Sequence, residues 1–262
     1  MAELFHRKIE RNALGFVILI IAAASIGGIV EIAPLFTIRD TVEDAFDMRP
    51  YTPLELAGRD IYVREGCYAC HSQMIRTLAD EVDRYGPYSL AVESKYDHPM
   101  LWGSKRTGPD LARIGGKYSD LWHVTHLNDP RSVVPQSNMP AYPWLSRNWL
   151  DLEDLPLRLV AMQRLGVPYT EEMISNASAD AVGQATPDHP ASAGVAERYG
   201  VTAQISTFDG TTTRVTEMDA LVAYLQALGR MTTAAYLNTA APELPPNPEQ
   251  APQVDAPAEA SQ

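Results

Sequence analysis

Cys67-Tyr68-Ala69-Cys70-His71 decides how this 262-residue chain is interpreted, because it contains the only two cysteines. The spacing C-x-x-C-H is typical of covalent attachment of a c-type haem. In such a site the two thiols add to the haem vinyl groups, and the following histidine binds the iron. The motif therefore predicts one covalent haem c held by Cys67, Cys70 and His71.

Three other interpretations of the motif stay open: a redox-active disulfide pair, a zinc site and two unrelated buried thiols. A redox C-x-x-C normally begins a helix in a strand-helix-strand pattern, whereas this motif follows a predicted helix and no strand precedes it. A tetrahedral zinc site needs four ligands, and only three lie nearby. The haem interpretation is favoured over all three.

A second decisive feature is a run of eighteen uncharged residues, Ala13 to Val30, near the N-terminus. At about 1.5 Å per residue a helix of this length spans about 27 Å, close to the roughly 30 Å hydrocarbon core of a bilayer. A cleaved signal peptide is the alternative, but its apolar region is usually shorter, about 7 to 15 residues. We predict that residues 12–36 form an uncleaved transmembrane anchor.

Charged residues are distributed asymmetrically around this anchor. Basic residues precede it and acidic residues follow it: Arg7, Lys8 and Arg11, then Asp40, Glu43, Asp44 and Asp47. The positive-inside rule then predicts that residues 1–11 are cytoplasmic and that the remainder is exported. The lipid bilayer is therefore an expected partner. The family resemblance given below implies that this is a bacterial inner membrane, crossed once, with the haem domain in the periplasm.

Composition excludes several classes of protein. The chain has 21 Lys and Arg against 33 Asp and Glu, a formal net charge of −12. A nucleic-acid binder needs a basic face, so no nucleic-acid partner is expected. The fractions of 45% hydrophobic and 21% charged residues exclude a wholly disordered chain and a polytopic membrane protein.

The exported part is divided by composition. We predict a linker at 37–52, a folded domain at 53–236 with a peripheral insertion at 166–213, and a disordered tail at 237–262. Six prolines fall within 242–262. A segment so rich in proline buries little surface.

Three elements of the domain can be predicted from local patterns. Amphipathic periodicity indicates helices from Pro53 to about Glu65 and from Glu217 to Leu228. Between them, the β-favouring residues around Asp209-Gly210 predict a β-hairpin. The two helices need a partner to bury their apolar faces.

A haem iron that transfers electrons needs a sixth ligand, and a methionine sulfur there raises the reduction potential. Met139 is the candidate because Pro140 biases it toward an extended backbone and Pro135 stiffens its approach. Met74 is only three residues past His71 and cannot reach the opposite face of the haem. The remaining methionines lie in the anchor, in the linker or in or beside predicted helices, where methionine is usually core filler. Met100 and His98 are the next candidates, and an iron open to external ligands is the remaining alternative.

Two histidines and four basic residues could also serve a site. His123 and His126 lie three apart on a predicted helix and could bind a metal, but packing or subunit contact is favoured because no further ligand completes a set. The basic residues could pair with haem propionates or dock a partner, since guanidinium binds carboxylates in a bidentate way: Arg76, Lys105, Arg106 and Arg113.

The order of these features resembles a class I cytochrome c. The residues that carry the resemblance are Gly58, Tyr62, Cys67, Thr107 to Leu111, Met139-Pro140, Leu221 and Tyr224. In that family the first and last helices cross at the glycine, and the carbonyl of the proline accepts a hydrogen bond from the haem-binding histidine. The resemblance implies these roles for Gly58 and Pro109. It also implies a mostly α fold, in which a single N-terminal transmembrane helix precedes a class I cytochrome c-like domain.

A longer set of motifs resembles the mono-haem subunit of cbb3-type cytochrome c oxidases, over about Arg7 to Leu165 and again from Thr216. The set comprises Tyr85–Ser89, Tyr96–Pro99, Trp102–Leu111, Trp122–His126 and Met139–Leu145. The resemblance implies an electron-relay subunit of a proton-translocating oxidase, with no turnover on this chain alone. Electrons would come from a di-haem cytochrome c subunit or from a soluble or membrane cytochrome c donor. They would pass to a membrane-embedded haem-copper catalytic subunit that reduces oxygen to water.

Two other functions share part of this pattern. The anchored cytochrome c subunit of nitric oxide reductase has the anchor, the C-x-x-C-H motif and the methionine, but the blocks Trp102–Leu111 and Trp122–His126 argue against it. A membrane-anchored haem sensor or gas-binding module would keep an iron position vacant. The Met139-Pro140 loop argues against that alternative.

Overall fold

The computed structural model describes residues 6, 7, 9–35 and 48–232. Within these residues the chain is helical, without a β-strand and with three isolated β-bridges. The mostly α fold predicted from the sequence is confirmed. The predicted tail at 237–262 and the part of the predicted linker before Met48 lie outside the described residues.

The chain divides into two compact units, Met1–Asp44 and Ala45–Gln262. The first unit contains helix α1 (Ala13–Leu35). Its segment Ala13–Pro34 has a mean hydropathy of 2.6 and is long and apolar enough to cross a membrane. Among the described residues it is the one helix with these properties, as the sequence predicts.

The second unit contains nine α-helices among its described residues. They are α2 (Pro53–Arg64), α3 (Ala79–Tyr85), α4 (Asp120–Asn128), α5 (Pro130–Val133), α6 (Leu155–Arg164), α7 (Glu171–Ser175), α8 (Ala177–Ala185), α9 (Ser192–Tyr199) and α10 (Glu217–Ala227). Short 3₁₀ helices span Cys67–Ala69, Ala91–Ser94 and Pro143–Ser146. The helices predicted at Pro53 and Glu217 are therefore found within one residue of their expected ends.

Helices α2 and α10 begin in the same way. The Thr52 side chain accepts a hydrogen bond from the Glu55 N–H while the Glu55 carboxylate accepts one from the Thr52 N–H, and Thr216 and Asp219 repeat this arrangement. Each capping box satisfies backbone N–H groups that a helix start leaves unpaired. The local sequence thus sets where both core helices start.

The core forms where α2 crosses α10. A Cβ atom at Gly58 would overlap the carbonyl oxygen of Ala220 and lie 2.8 Å from the Cβ of Tyr224. Only glycine allows the two backbones to approach this closely. Leu221 and Tyr224 are fully buried at the crossing, and the rings of Tyr62 and Tyr224 lie 5.5 Å apart. This is the helix crossing that the resemblance to class I cytochromes c implies.

The predicted linker and the predicted insertion both contribute buried residues to this unit. Tyr51, assigned to the linker from the sequence, is 2% exposed. In the insertion, α8 contacts α2, and its residues Ala177 and Ala181 are both 0% exposed. Gln184 of α8 lies 2.5 Å from the Thr52 hydroxyl in a hydrogen bond that Thr52 donates. The capped start of α2 is thereby covered by α8.

The β-hairpin predicted around Asp209-Gly210 is wrong. The turn itself exists, and Gly210 has a φ of 83°, which favours glycine. The Asp209 carboxylate then accepts a hydrogen bond from the Thr216 hydroxyl at 2.9 Å, and the Val215 carbonyl accepts one from the Leu150 N–H at 3.0 Å. The turn residue Asp209 therefore pairs with the start of α10, and Val215 after the turn pairs with a distant segment instead of with the residues before the turn.

Candidate functional site

The C-x-x-C-H motif follows α2 almost directly. Gly66, with a φ of 73°, turns the chain out of the helix. One 3₁₀ turn follows, in which the Cys67 carbonyl accepts hydrogen bonds from the N–H groups of Cys70 at 3.1 Å and His71 at 2.9 Å. Both thiols are free, with Cys67 half-buried and Cys70 exposed. The turn therefore presents two reduced thiols beside one imidazole.

The surroundings of Cys67 keep its thiol protonated. Burial, followed by the charge of Glu65, raises the pKa of the Cys67 thiol to about 11. A metal ligand must be the thiolate rather than the thiol, so a zinc ion at Cys67 would have to displace this proton. Among the described residues no group of three or more His, Cys, Asp and Glu side chains is placed to hold a metal ion.

The His71 ring is held by the backbone of Gly108 and Pro109. Its Nδ1 lies 2.9 Å from the Pro109 carbonyl oxygen, a distance at which Nδ1–H donates to that carbonyl. A Cβ atom at position 108 would overlap the ring, so glycine is required there. Such a carbonyl acceptor orients an imidazole and increases the basicity of its other nitrogen. This contact leaves Nε2 available for a ligand.

The segment that carries Pro109 is bound to the motif by backbone pairing. Arg106 and His71 form an isolated antiparallel bridge, and the Gly108 N–H donates to the Cys70 carbonyl at 2.9 Å. The Pro109 carbonyl is thereby placed beside His71 by contacts that are independent of the histidine side chain.

Asp110 is a structural residue of the site for which the sequence indicated no role. Its buried carboxylate accepts hydrogen bonds from the Ser72 hydroxyl at 2.6 Å, the Met74 N–H at 3.1 Å and the Ala112 N–H at 2.8 Å. It therefore joins the chain after His71 to the chain after Pro109. The sequence could have indicated this only through its position after Gly108-Pro109.

Met139 lies in the loop between α5 and the 3₁₀ helix at Pro143, and its side chain is half-buried. The loop is tied to α4, because the Tyr142 N–H donates to the Leu127 carbonyl at 2.7 Å. Burial raises the pKa of the Tyr142 hydroxyl, and the charges of Cys67 and Cys70 raise it further. The Met139 loop and the motif thus lie within electrostatic range of each other.

Residues 6–232 match the protein family described as cytochrome c oxidase, mono-heme subunit/FixO. The chain belongs to this family. The family predicted from the sequence is thereby confirmed, and membership implies one haem and a catalytic subunit of the oxidase as a partner. A search of curated proteins finds no match.

The described residues fit the haem that the FixO family implies. Two free thiols lie one turn apart, and the adjacent imidazole is oriented through Nδ1 with its other nitrogen available. Two further buried ring nitrogens, His123 Nε2 and His126 Nδ1, have no hydrogen-bond partner among the described residues. Buried polar atoms in native proteins are nearly always paired, so these nitrogens indicate a pocket that a further group completes.

The other candidate iron ligands of this FixO chain occupy different environments. Met100 is 48% exposed, and the His98 carbonyl accepts a hydrogen bond from Arg59 at 3.1 Å. Four of the remaining methionines are buried in the core: Met48, Met162, Met218 and Met231. Met139 is the methionine whose loop is tied to the helix that carries the two unpaired histidines.

Three of the four basic residues considered for haem propionates are paired with glutamates. Arg76 and Arg106 both bind Glu81, the latter at 2.8 Å, and Arg113 binds Glu93 at 2.8 Å. The hydrogen bond from Arg76 is the main reason that the pKa of Glu81 is lowered to about 2. Lys105 contributes its backbone carbonyl, which accepts a hydrogen bond from the Ser72 hydroxyl at 3.1 Å.

The two histidines of α4 lie on the predicted helix and are held by aromatic contacts. The Trp122 ring stacks on His126 and meets His123 edge-on, with centroid distances of 4.7 and 5.4 Å. Burial, followed by the charge of His126, lowers the pKa of His123 to about 4. Burial and then the charge of His71 lower the pKa of His126, so His126 lies within electrostatic range of His71.

Proposed function

We propose that this chain is the membrane-anchored electron-relay subunit of an oxygen-reducing oxidase, and that it holds one covalent haem c. Cys67 and Cys70 would form the thioethers, His71 would bind the iron and Met139 would be the sixth ligand. The observation that carries the proposal is the 2.9 Å contact of His71 Nδ1 with the Pro109 carbonyl, beside two free thiols, in a member of the FixO family.

When bound, the haem would supply a centre that accepts and donates one electron. The chain's own residues attach, orient and tune it. Pro109 and the Gly108 backbone keep the His71 ring in one orientation, and the Pro109 carbonyl makes Nε2 a stronger donor. The Met139 sulfur, a soft ligand, favours ferrous iron and so raises the reduction potential. We expect no turnover from this chain alone.

Helix α1 would tether this site at the membrane and pack on the catalytic subunit. Ala24 and Gly28 lie four residues apart on one face of α1, and a Cβ added at Gly28 would meet nothing within 4 Å. Small residues permit close helix approach in lipid, where packing drives association. The donors would be a di-haem cytochrome c subunit or a cytochrome c, and the acceptor a haem-copper catalytic subunit.

The covalent site can be tested on the full chain with its haem. After acid-acetone extraction, haem should stay on the polypeptide and stain a denaturing gel at about the chain mass of 28.8 kDa. Cys67→Ala and Cys70→Ala should each reduce attached haem, whereas Met139→Ala, which keeps all attachment residues, should not. Complete extraction of haem from the parent chain would overturn the proposal.

The relay role and the topology need separate measurements. The chain should copurify with a haem-copper subunit in mild detergent, and the double variant Ala24→Leu, Gly28→Leu should lose this association while it stays in the membrane. A reporter enzyme active only in the periplasm should be active when fused after residue 40 and inactive when fused at the N-terminus. A reporter that is active at the N-terminus and inactive after residue 40 would contradict the proposed topology. Purification of the chain without any oxidase subunit would contradict the relay role.

A further inference from the structure

Three aromatic rings form a stack along one side of α4. The ring centroids of Tyr118 and Trp122 lie 4.0 Å apart at an interplanar angle of 14°, and those of Trp122 and His126 lie 4.7 Å apart at 11°. Residues four apart in a helix lie one above the other. The stack therefore fixes the plane of the His126 ring from one side.

His126 is linked to the segments of both proposed iron ligands. The next residue, Leu127, accepts the 2.7 Å hydrogen bond from Tyr142 that ties the Met139 loop to α4. Burial, followed by the effect that a charged His71 would have, lowers the pKa of His126, so the two imidazoles lie within electrostatic range of each other. Both links place His126 near the segments that carry the proposed iron ligands.

One nitrogen of this ring has nothing to bind in the polypeptide. His126 Nδ1 is buried and has no hydrogen-bond partner among the described residues. A buried polar atom left unpaired costs about 1–3 kcal/mol. The His126 ring is held in place by stacking although its Nδ1 atom is unpaired. A bound group that pairs with Nδ1 would remove this cost.

We propose that His126 is a positioning residue of the haem pocket, whose unpaired ring N–H is directed into the pocket and raises the reduction potential. The inference rests on the proposed function and adds a residue to that site. The direction follows from electrostatics: the positive end of an N–H dipole near the iron disfavours the additional positive charge of the ferric state. Loss of the N–H should therefore lower the potential without loss of either iron ligand.

The test is a redox titration of the full haem-loaded chain in detergent, after attached haem has been quantified. His126→Phe keeps a ring on Trp122 but has no N–H. A hydrogen bond of ordinary strength corresponds to a shift of about tenfold in the one-electron equilibrium constant, or ~59 mV. We expect a lowering of up to this size, with the near-infrared band of methionine-bound ferric iron retained.

Two further variants separate a specific effect from general disturbance of α4. His126→Asn restores an N–H donor and should recover at least half of the lost potential; it also serves if the phenylalanine variant fails to load haem. Thr125→Val is the control on the same helix, because its hydroxyl donates to the Leu121 carbonyl one turn earlier in α4 at 2.8 Å and has no part in the proposed site.

Each other outcome overturns the inference. An unchanged potential in His126→Phe, or an equal lowering in Thr125→Val, would show that the His126 ring contributes only packing. Absence of the methionine band in the parent, together with loss of six-coordination in His126→Phe, would make His126 an iron ligand instead. A parent chain without covalent haem would fail at the first step and would overturn the proposed function as well.

Discussion

The crossing of α2 with α10 and the pocket around the C-x-x-C-H motif differ in what stabilises them. At the crossing the Tyr224 hydroxyl is paired with the Gln73 amide at 2.8 Å, and both helix starts have complete capping boxes. In the pocket two histidine nitrogens are buried without partners among the described residues. The polypeptide therefore caps and packs the crossing by itself, with the Tyr62 hydroxyl as its one unpaired buried side-chain atom among the described residues. The two unpaired ring nitrogens on α4 instead indicate a pocket that a bound group completes.

The largest effect is expected from a side chain placed into the crossing. Gly58→Leu would overlap the Ala220 carbonyl, and only separation of the two helices could relieve the overlap. We expect a loss of ~5 kcal/mol or more, comparable to the whole stability of a small domain. Thermal unfolding followed by circular dichroism should show no folded domain.

The control for this variant is Gly27→Leu in α1, where an added Cβ meets nothing within 4 Å. It should remain folded. A folded Gly58→Leu variant with a normal unfolding midpoint would show that the crossing is not the centre of the core.

The next largest effect concerns a buried ion pair beside the crossing. Arg59 is 1% exposed and donates to the Asp97 carboxylate at 3.1 Å, and the Tyr51 hydroxyl donates to the same carboxylate at 2.8 Å. Arg59→Met leaves a buried carboxylate without its cation, which typically costs about 3–5 kcal/mol. The exposed pair of Arg158 with Asp60 is the comparison, and Arg158→Met should cost no more than ~1 kcal/mol.

Denaturant titration of both variants measures the difference in unfolding free energy. If the crossing needs no bound group for its stability, Arg59→Met should lose stability and still attach haem at low temperature. Equal losses of unfolding free energy in the two variants would mean that the burial of the Arg59–Asp97 pair does not increase the cost of losing the arginine.

The smallest expected effect is a pH dependence that originates in the pocket. Burial lowers the pKa of His123 from its ordinary value of 6.5 to about 4, so the unfolded chain binds a proton that the folded chain excludes. The contribution of the neutral ring to stability is complete above pH 6.5 and is lost as the pH falls toward 4, by up to ~1.4 kcal/mol per pH unit.

Unfolding midpoints at pH 7, 6 and 5 test this dependence, with His123→Phe as the variant. The parent should lose stability at each acid step, and the variant should lose less. His126, whose pKa is also lowered, leaves a residual slope in the variant. Identical slopes in parent and variant would remove His123 as the source.

The sequence predicted those parts of the fold that depend on local signals. The starts of α2 and α10 follow from capping residues and periodicity within a few positions, and C-x-x-C-H is itself a local pattern. The hairpin around Asp209 failed because turn chemistry is local, whereas the partner of the following residues is distant. The short helix α8 is alanine-rich, and its burial depends on contact with α2 that no local pattern records.

The candidate site likewise combines residues that the sequence alone identifies with residues whose role depends on distant contacts. Cys67, Cys70 and His71 are adjacent in sequence and could be identified without the structure. The role of the buried Asp110 carboxylate depends on pairing between distant segments, since Ser72 and Asp110 are 38 residues apart in the sequence. The unpaired nitrogens of α4 became visible only once their neighbours were known.

The central claim is that His71 and the Met139 loop form one redox site, and the reduction potential of Met139→His in the full haem-loaded chain tests it most directly. Replacement of the sulfur by a second imidazole should lower the potential, because methionine favours ferrous iron relative to histidine. We expect a shift of at least about tenfold in the one-electron equilibrium constant, ~59 mV, with six-coordinate iron and loss of the near-infrared methionine band. An unchanged potential with the band intact would contradict the account and assign the sulfur to another methionine.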